Sequence, residues 1–345
     1  MLDGKRVLVT GGTGSLGRAL VRRLLSGELG KPAKVVVFSR DEAKQHEMRS
    51  AWHRPKVPTE DAAYRDYKRV LEFKIGDVRD YDSISSAVRD AQIVFHAAAL
   101  KQVPSCEYEP LEAVKTNVLG ASNVVRAILA PGADVEAALA ISTDKACKPV
   151  NVMGMTKALQ ERIFINGNLG HRTKFLCVRY GNVISSRGSV IPLFLDQIRS
   201  GGPVTITMDR MTRFLLTLDK AVDTVFAALS TGQPGDTYIP RVPSASVMDV
   251  AKALIGDQKI AIEIIGVRPG EKVHEILISE EEVFRTIERG EYYVIRPVLP
   301  ELAVASPPAR DTEYSSSDVT LDVAGVRRLL AESEMVRPRT AVASV

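Results

Sequence analysis

An aspartate and a lysine stand side by side at the end of the fifth apolar run of the sequence. This run, Ala137–Ser142, continues directly into Thr143-Asp144-Lys145. In an open α/β sheet the carboxyl ends of the strands face the ligand, and a carboxyl next to an amine can provide a general acid and a general base. The alternative is a surface turn in which Asp144 caps a helix. Composition alone leaves both interpretations open.

A second lysine follows at helical spacing from a methionine. Met153 opens a predicted helix and Lys157 lies four residues later, so the two share one face. Most short-chain dehydrogenases have Tyr-x-x-x-Lys at this place, where the lysine holds the nicotinamide ribose and favours the tyrosinate that takes the hydroxyl proton. Met153 cannot transfer a proton, and Tyr108 and Tyr180 do not have the required placement. An ordinary alcohol dehydrogenase is therefore disfavoured.

A glycine-rich loop follows the first predicted strand and precedes the first predicted helix. Gly11, Gly14 and Gly17 form a G-x-x-G-x-x-G pattern, which allows a tight turn, close backbone approach to a pyrophosphate and close packing of helix on strand. Because the strand and helix context is present, cofactor binding is favoured over a structural turn. The predicted contacts from this loop are Gly11, Thr13, Gly14, Ser15, Leu16 and Gly17.

The end of the second strand bears on the choice of dinucleotide. Arg40 at the strand tip, with Lys44 one helical turn later, suits a 2′-phosphate and favours NADP. Asp41 is adjacent and leaves NAD possible. Further predicted cofactor contacts lie after later strands or on the lysine helix: Asp77, Val78, Ala97, Ala98, Lys157 and Tyr180. The two alanines are equally compatible with simple close packing.

The elements that must position these residues alternate through the first half of the chain. Apolar, β-branched runs alternate with helical patterns such as Arg18–Ser26 and Leu111–Leu129, which predicts a parallel sheet covered on both faces. We therefore predict a Rossmann-type, doubly wound α/β domain over residues 1–185 and a smaller, mainly substrate-binding lobe over 186–345. The predicted strands are Arg6–Thr10, Lys34–Ser39, Arg69–Ile75, Ile93–Ala97, Ala137–Ser142 and Lys174–Arg179.

The end of the chain and its composition complete the expectation. Val304–Ser317 is predicted to be a loop, Asp318–Glu332 a final helix and Met335–Val345 a frayed tail.

Hydrophobic residues make up 45% of the sequence, enough for a sizeable core. The net charge of +4 is spread along the chain, which argues against a nucleic-acid partner. With no leader pattern and no apolar bilayer span, we expect a cytoplasmic protein with no membrane association.

Cysteine and histidine spacing bears on redox chemistry and metals. Cys106, Cys147 and Cys177 have no metal-ligand spacing and cannot all pair, so we interpret them as free thiols. His96 and His274 show no ligand spacing with each other or with the cysteines. No metal is therefore expected.

Several segments, in order, resemble the UDP-N-acetylglucosamine 4,6-dehydratase family of extended short-chain dehydrogenase/reductases. The resemblance covers most of residues 5–300, and it accommodates Met153, because the family includes tyrosine and methionine branches. This chain resembles a free-standing catalytic domain of the methionine branch. The segments that carry the resemblance are Thr10–Gly17, Ser39–Glu42, Gly76–Asp80, His96–Lys101, Ser142–Ala146, Arg179–Val183, Met211–Phe214 and Gly266–Lys272.

The resemblance implies a reaction and a role for each catalytic residue. The sugar is oxidised at C4 by hydride transfer to NADP, Lys145 removes the C5 proton as general base, and Asp144 protonates the departing O6 as general acid. The hydride returns to C6, so the net change is loss of water. With methionine at position 153, Thr143 or Asp144 must accept the C4 hydroxyl proton, assisted by Lys157.

The substrate implied by the resemblance is UDP-N-acetylglucosamine or a close nucleotide sugar. Guanidinium groups suit its two phosphates, and a homo-oligomer, dimer or hexamer, is expected. Another epimerase or reductase of the same fold, or a catalytically silent cofactor-binding protein, stays open as an alternative; Arg213 as an ion-pair partner and Val190 as core are the structural alternatives at two positions. The implied substrate contacts are Lys101, Asn182, Val190, Arg213, Arg268 and Glu271.

Overall fold

Short apolar segments build the sheets of this protein. A computed structural model describes residues 1–52, 69–169, 172–184, 189–303 and 307–332. The strands in these ranges are β1 (Arg6–Thr10), β2 (Lys34–Ser39), β3 (Leu71–Ile75), β4 (Ile93–His96), β5 (Ala137–Ile141), β6 (Lys174–Val178), β7 (Asn182–Val183), β8 (Val204–Ile206), β9 (Thr212–Leu216), β10 (Thr237–Pro240), β11 (Ser244–Ser246), β12 (Ile262–Ile264), β13 (Ile276–Ile278), β14 (Thr286–Arg289), β15 (Tyr292–Ile295), β16 (Tyr314–Ser315) and β17 (Thr320–Leu321). All six predicted strands are confirmed, with ends that differ by no more than two residues.

Helices connect most of these strands. Those in the described residues are α1 (Ser15–Ser26), α2 (Glu42–Trp52), α3 (Tyr81–Val88), α4 (Val103–Tyr108), α5 (Pro110–Ala113), α6 (Gly120–Ile128), α7 (Val152–Asn166), α8 (Val190–Arg199), α9 (Leu218–Thr231), α10 (Val247–Ile255), α11 (Glu280–Val283) and α12 (Val323–Glu332), with short 3-10 turns at Asp144–Ala146 and Pro300–Leu302. None of these helices is long and apolar enough to cross a bilayer.

The contacts divide the described chain into two units. Unit 1 contains Met1–Tyr180, Asp219–Arg241 and Leu277–Glu313, and unit 2 contains the rest. The first crossing, after Tyr180, lies near the predicted boundary at residue 185. The predicted lobe 186–345 is not one segment, however, because β10, β14 and β15 return to the sheet of unit 1.

Unit 1 has the predicted Rossmann-type, doubly wound architecture. Its sheet has the order β14-β15-β10-β6-β5-β4-β1-β2-β3, parallel from β3 to β10 and antiparallel at β15 and β14. Leu8, Phe38, Val94 and Ala138 point into one core with α3, α6 and α7, while neighbouring strand residues such as Val37 are buried on the other face. Burial on both faces explains the continuous apolar runs in the sequence.

Two predicted helices differ from the structure. The predicted helix Leu111–Leu129 is interrupted by a π-helical turn over Val114–Leu119, where Gly120 packs so closely on Val78 that a Cβ would lie 2.8 Å from its Cγ2. The predicted helix Asp318–Glu332 begins only at Val323, because the residues before it pair as β17 with β11. Likewise, the predicted loop Val304–Ser317 contains β16, whereas its residues 304–306 and the predicted tail Met335–Val345 lie outside the described residues.

Unit 2 is built on a small sheet. Its strands have the order β17-β11-β9-β7, and β12 pairs in parallel with β8. The core beneath contains Phe194, Leu215, Val250 and Val326, contributed by α8, β9, α10 and α12. Unit 2 therefore has its own hydrophobic core, as expected of a separate structural unit.

Candidate active site

The loop after β1 is closed by contacts between backbone atoms. Gly11 has a φ of +67°, and a Cβ there would lie 2.7 Å from the backbone of Ala97. A Cβ at Gly17 would lie 2.6 Å from the carbonyl oxygen of Gly11. Because the opposing atoms are backbone, no side-chain rotation could relieve either clash. Glycine at both positions thus brings the start of α1 close to the end of β1, which fits a bound pyrophosphate.

Helix α1 begins directly after the glycine loop. Gly14 occupies the N-cap and supplies no capping side chain, and Ser15 and Leu16 are the first helical residues. Thr13 is buried, with its hydroxyl 3.0 Å from that of Ser39 at the end of β2. The loop residues predicted to contact a dinucleotide therefore meet at one strand end.

The tip of β2 carries a mixture of charges. Arg40 is exposed, with its Nη1 3.9 Å from Asp77 Oδ2. Asp41 accepts a hydrogen bond of 2.9 Å from the backbone N–H of Lys44 and is also paired with the Lys44 side chain. Although burial raises the pKa of Asp77, hydrogen bonds from Arg79 hold it below its ordinary value. Asp41 thus binds Lys44 in the first turn of α2, and Arg40 is the more exposed group at the strand tip.

A histidine ends β4 and lies opposite Thr10, the last residue of β1. His96 is fully buried, stacks on Phe164 and has its Nδ1 2.8 Å from the hydroxyl of Thr10. Thr10 also accepts a hydrogen bond from the backbone N–H of Ala98. Burial, with a smaller contribution from the charge of Lys157, lowers the pKa of His96 to about 3. A neutral His96 therefore links β4 to β1 at the strand end that leads into the glycine loop.

The remaining predicted contacts of unit 1 are in three different environments. Val78 is buried in the core. Lys101 is exposed as a residue, although partial burial of its amine lowers its pKa. Tyr180 is buried, which raises the pKa of its phenol, and its carbonyl oxygen accepts a 3.0 Å hydrogen bond from the backbone N–H of Asp144. Tyr180 thus contacts the segment of the Asp-Lys pair through its backbone.

The Asp-Lys pair lies on a short turn at the carboxyl end of β5. Thr143 caps this 3-10 turn by accepting a hydrogen bond from the backbone N–H of Lys145. The Thr143 hydroxyl donates to Asp144 Oδ1 over 2.9 Å, and Lys145 Nζ donates to the same oxygen over 3.1 Å. Asp144 is fully buried, whereas 21% of the Lys145 side chain is exposed. A hydroxyl, a carboxylate and an amine are therefore linked in one chain of hydrogen bonds.

Helix α7 packs closely on this turn. The side chain of Asn151 caps α7 by accepting a 2.8 Å hydrogen bond from the backbone N–H of Gly154. A Cβ at Gly154 would lie 2.2 Å from the carbonyl oxygen of Lys145, so only glycine allows the helix this close. Met153 is buried in an apolar cluster with Cys106. The position occupied by tyrosine in most short-chain dehydrogenases is thus apolar.

Lys157 lies deeper in unit 1. Its Nζ donates to the carbonyl oxygen of Ile141, the last residue of β5, and to Gln160 Oε1 over 2.8 Å. Burial lowers the pKa of Lys157 to about 8, and Glu161 opposes this shift. The lysine therefore holds α7 against the strand that carries the Asp-Lys pair.

Five residues around this site are missed by motif reasoning. Ser142, Glu161, Arg179 and Glu282 form a buried hydrogen-bonded group behind the turn, and Gly154 has the contact described above. Two signals point to part of the group. Glu161 follows Lys157 at the spacing of one helix face, and Arg179 directly follows an apolar strand. Nothing in the sequence pairs either of them with Glu282.

Unit 2 places the predicted substrate contacts on several elements. Asn182 lies in β7, and its buried Oδ1 makes no hydrogen bond within the described residues. Val190 begins α8 and is partly buried. Arg213 is buried in β9 and donates to the carbonyl oxygens of Thr212 and Val273.

The last two predicted substrate contacts lie on a turn of unit 2. The backbone N–H of Glu271 donates to the carbonyl oxygen of Arg268, and Arg268 is exposed. A diphosphate would therefore find an exposed guanidinium on this turn.

The doubly wound sheet, the glycine loop and the lysine on α7 define an extended short-chain dehydrogenase/reductase. The chain belongs to the polysaccharide biosynthesis protein family, whose model matches residues 7–297. This assigns it to the nucleotide-sugar epimerases and dehydratases. The family resemblance and the fold class predicted from the sequence are confirmed.

Similar proteins carry two different activity names. A UDP-glucose 4-epimerase of Rickettsia bellii (strain OSU 85-389) is 46% identical over 86% of this chain and 84% of that protein. The inverting UDP-N-acetylglucosamine 4,6-dehydratase of Campylobacter jejuni subsp. jejuni serotype O:2 is 42% identical over the same shares. Among solved structures, Pen from Bacillus thuringiensis has a TM-score of 0.85 and 33% identity, covering 96% of this chain and 98% of that one.

Proposed function

We propose that this protein is an NADP-dependent UDP-N-acetylglucosamine 4,6-dehydratase that yields a 4-keto-6-deoxy sugar nucleotide. The observation that carries the proposal is the hydrogen-bonded chain Thr143–Asp144–Lys145 next to a helix that presents Met153 where tyrosine would stand. A dehydratase needs an acid and a base that act one carbon apart, at O6 and at C5. An adjacent carboxyl and amine supply that pair.

The proposed proton path begins at the C4 hydroxyl. Thr143 accepts this proton and passes its own to Asp144, since its hydroxyl already donates to Asp144 Oδ1 over 2.9 Å. Asp144 then delivers the proton to the departing O6, which leaves as water. The proton removed at C4 is thus the one needed at C6, and Asp144 ends the step as a carboxylate again.

Lys145 acts at the neighbouring carbon. As a neutral amine it takes the C5 proton that the 4-ketone has acidified, and a proton returns to C5 when the step is completed. Its 21% exposure gives it access to solvent, whereas the buried Asp144 is shielded. Proton exchange with water is therefore expected at C5.

A nicotinamide dinucleotide, when bound, supplies the reversible hydride transfer that the reaction requires at C4 and again at C6. The glycine loop and the N-terminus of α1 would hold its pyrophosphate, and Lys157 its ribose. Arg40 is exposed at the tip of β2, which supports NADP over NAD, because Asp41 is engaged with Lys44.

The uridine diphosphate is assigned to unit 2 in this proposal. Arg213 and Arg268 would contact the diphosphate, where planar guanidinium groups suit paired oxygens. Asn182, Val190 and Glu271 would line the same nucleotide site, and Lys101 would contact the sugar.

A 4-epimerase is the second candidate, favoured by the activity name of the 46% identical Rickettsia protein. An epimerase removes and returns hydride at C4 only, so it has no task for an acid and base that act at O6 and C5. The Thr143–Asp144–Lys145 chain therefore supports dehydration over epimerisation.

The distinguishing experiment is to incubate purified protein with UDP-N-acetylglucosamine and follow the mass of the nucleotide sugar. Dehydration gives a product lighter by one water, whereas 4-epimerisation leaves the mass unchanged. Dehydration without added dinucleotide would support a cofactor that stays bound and is regenerated. Turnover to an isomer of equal mass would replace the proposal with the epimerase.

A further inference from the structure

A buried arginine links two carboxylates behind the catalytic turn. Arg179 Nη2 lies 2.6 Å from Glu161 Oε2, and its Nη1 lies 2.7 Å from Glu282 Oε2. Nη1 also donates to the carbonyl oxygen of Leu277 over 2.9 Å. These contacts join the residue after β6 to α7, α11 and β13 at one point of the molecule. We call Glu161, Arg179 and Glu282 the Arg179 cluster.

The charges of the Arg179 cluster are nearly balanced. Although burial opposes the charge of Arg179, the two carboxylates raise its pKa well above its ordinary value. Burial likewise raises the pKa of Glu282, but Arg179 lowers it to about 2. Arg285 Nη2 lies 3.7 Å from Glu282 and supplies a second positive charge. Buried pairs of this kind often contribute little net stability, which leaves room for a role in geometry.

The Arg179 cluster holds the catalytic turn from both ends. Ser142, immediately before Thr143, donates its hydroxyl to Glu161 Oε1 over 2.5 Å. Cys147, immediately after the 3-10 turn, has its Sγ 3.7 Å from Glu282 Oε2. The side chains that bracket residues 143–146 thus bind the two carboxylates joined by Arg179. No residue of the cluster lies within the turn itself.

We propose that the Arg179 cluster positions Thr143, Asp144 and Lys145 for proton transfer, with Ser142 and Cys147 as the links. The cluster acts through the turn and does not contact the reacting atoms, so its members are positioning residues. The expected effect on the rate rests on the proposed dehydration. The hydrogen bonds that hold the turn to the cluster do not depend on the reaction.

The test uses Ser142→Ala, which removes one neutral hydroxyl and leaves every buried charge paired. Thr224→Val is the matched control, because Thr224 is also buried and donates its hydroxyl to a backbone carbonyl oxygen, that of Lys220 in α9, which is not part of the Arg179 cluster. The readouts are thermal unfolding, kcat and KM for water loss, and hydrogen–deuterium exchange of peptides covering residues 142–150. Cys147→Ala tests the second link.

We expect similar unfolding temperatures for Ser142→Ala and Thr224→Val, but a kcat at least about tenfold lower for Ser142→Ala alone, with KM unchanged. Exchange should rise across residues 142–150 in Ser142→Ala and stay at the wild-type level there in Thr224→Val. Cys147→Ala should show the same pattern with a smaller amplitude, since a thiol is a weak donor.

Equal kcat values for the two hydroxyl variants, or unchanged exchange at residues 142–150 in Ser142→Ala, would overturn the proposal. If the protein does not dehydrate any nucleotide sugar, the exchange experiment still decides whether the cluster holds the turn. Failure of the proposed function and failure of this inference are therefore separate results.

Discussion

The loop after β1 and the turn after β5 lie at the same edge of one parallel sheet but are held in place differently. The loop is fixed by backbone contacts at Gly11 and Gly17, where any Cβ would clash. The turn is fixed by side chains, through the hydrogen bonds of Thr143 and Ser142 and the ion pairs of Arg179. The loop depends on glycines that have no side chain, and the turn depends on hydrogen-bonded and charged side chains.

This difference suits the two tasks assigned to the sites. A pyrophosphate is bound by backbone N–H groups, which need only a close approach. Proton transfer needs side chains held within hydrogen-bonding distance of the reacting atoms, where small displacements reduce the rate strongly.

Lys145→Met should lower kcat for dehydration by roughly 10²–10⁴-fold, because it removes the general base. Dinucleotide affinity, measured by calorimetry, should stay within about twofold of wild type, since the glycine loop is untouched. Lys34→Met, which removes one half of a surface ion pair with Glu72, is the control and should retain wild-type kcat. Normal turnover by Lys145→Met would remove Lys145 from the mechanism.

Gly154→Ala should lower kcat by about 100-fold, because its Cβ would push against the carbonyl oxygen of Lys145 and displace the turn. The free energy of unfolding should fall by roughly 1–3 kcal/mol through overpacking. Gly325→Ala in α12, whose Cβ would meet only side-chain atoms at 3.1–3.2 Å, is the control and should have little effect. A fully active Gly154→Ala would show that the turn tolerates displacement.

Gly17→Ala should weaken dinucleotide binding by about 10- to 100-fold, because its Cβ would lie 2.6 Å from Gly11 O and force the loop open. At saturating dinucleotide its kcat should be close to wild type, in contrast to Gly154→Ala. Titration calorimetry with NADP and with NAD measures the affinity. The account of the loop would be wrong if this variant bound both dinucleotides normally.

The buried His96 should make stability depend on pH. Its pKa of about 3 in the folded protein lies below the value near 6.5 in the unfolded chain, so the unfolded state takes up more protons between these limits. Its contribution is therefore complete above pH 6.5 and is lost as the pH falls toward 3. From pH 7.5 to pH 5 this should cost the wild type about 2 kcal/mol relative to His96→Gln.

Urea unfolding at both pH values measures that difference. His46→Gln, at an exposed position, is the control and should show the wild-type pH dependence. If His96→Gln and wild type lose the same stability between pH 7.5 and pH 5, the histidine is not held neutral in the folded protein.

The sequence was most informative where local geometry decides the structure. The strand ends, the glycine loop and the Asp144-Lys145 turn follow from runs and spacing within about 20 residues. The Arg179 cluster is different, because Glu282 lies 103 residues from Arg179 in the chain. The return of β10, β14 and β15 to the first sheet is missed for the same reason, since no local pattern specifies a long-range strand partner.

Turnover of UDP-N-acetylglucosamine in deuterated water, with the product followed by mass spectrometry and NMR, tests the proposed dehydration. We expect a 4-keto product that has lost one water and carries one solvent deuteron at C5, with the label and the water loss both abolished in Lys145→Met. A product of unchanged mass, inverted at C4 and without deuterium at C5, would contradict it and identify a 4-epimerase.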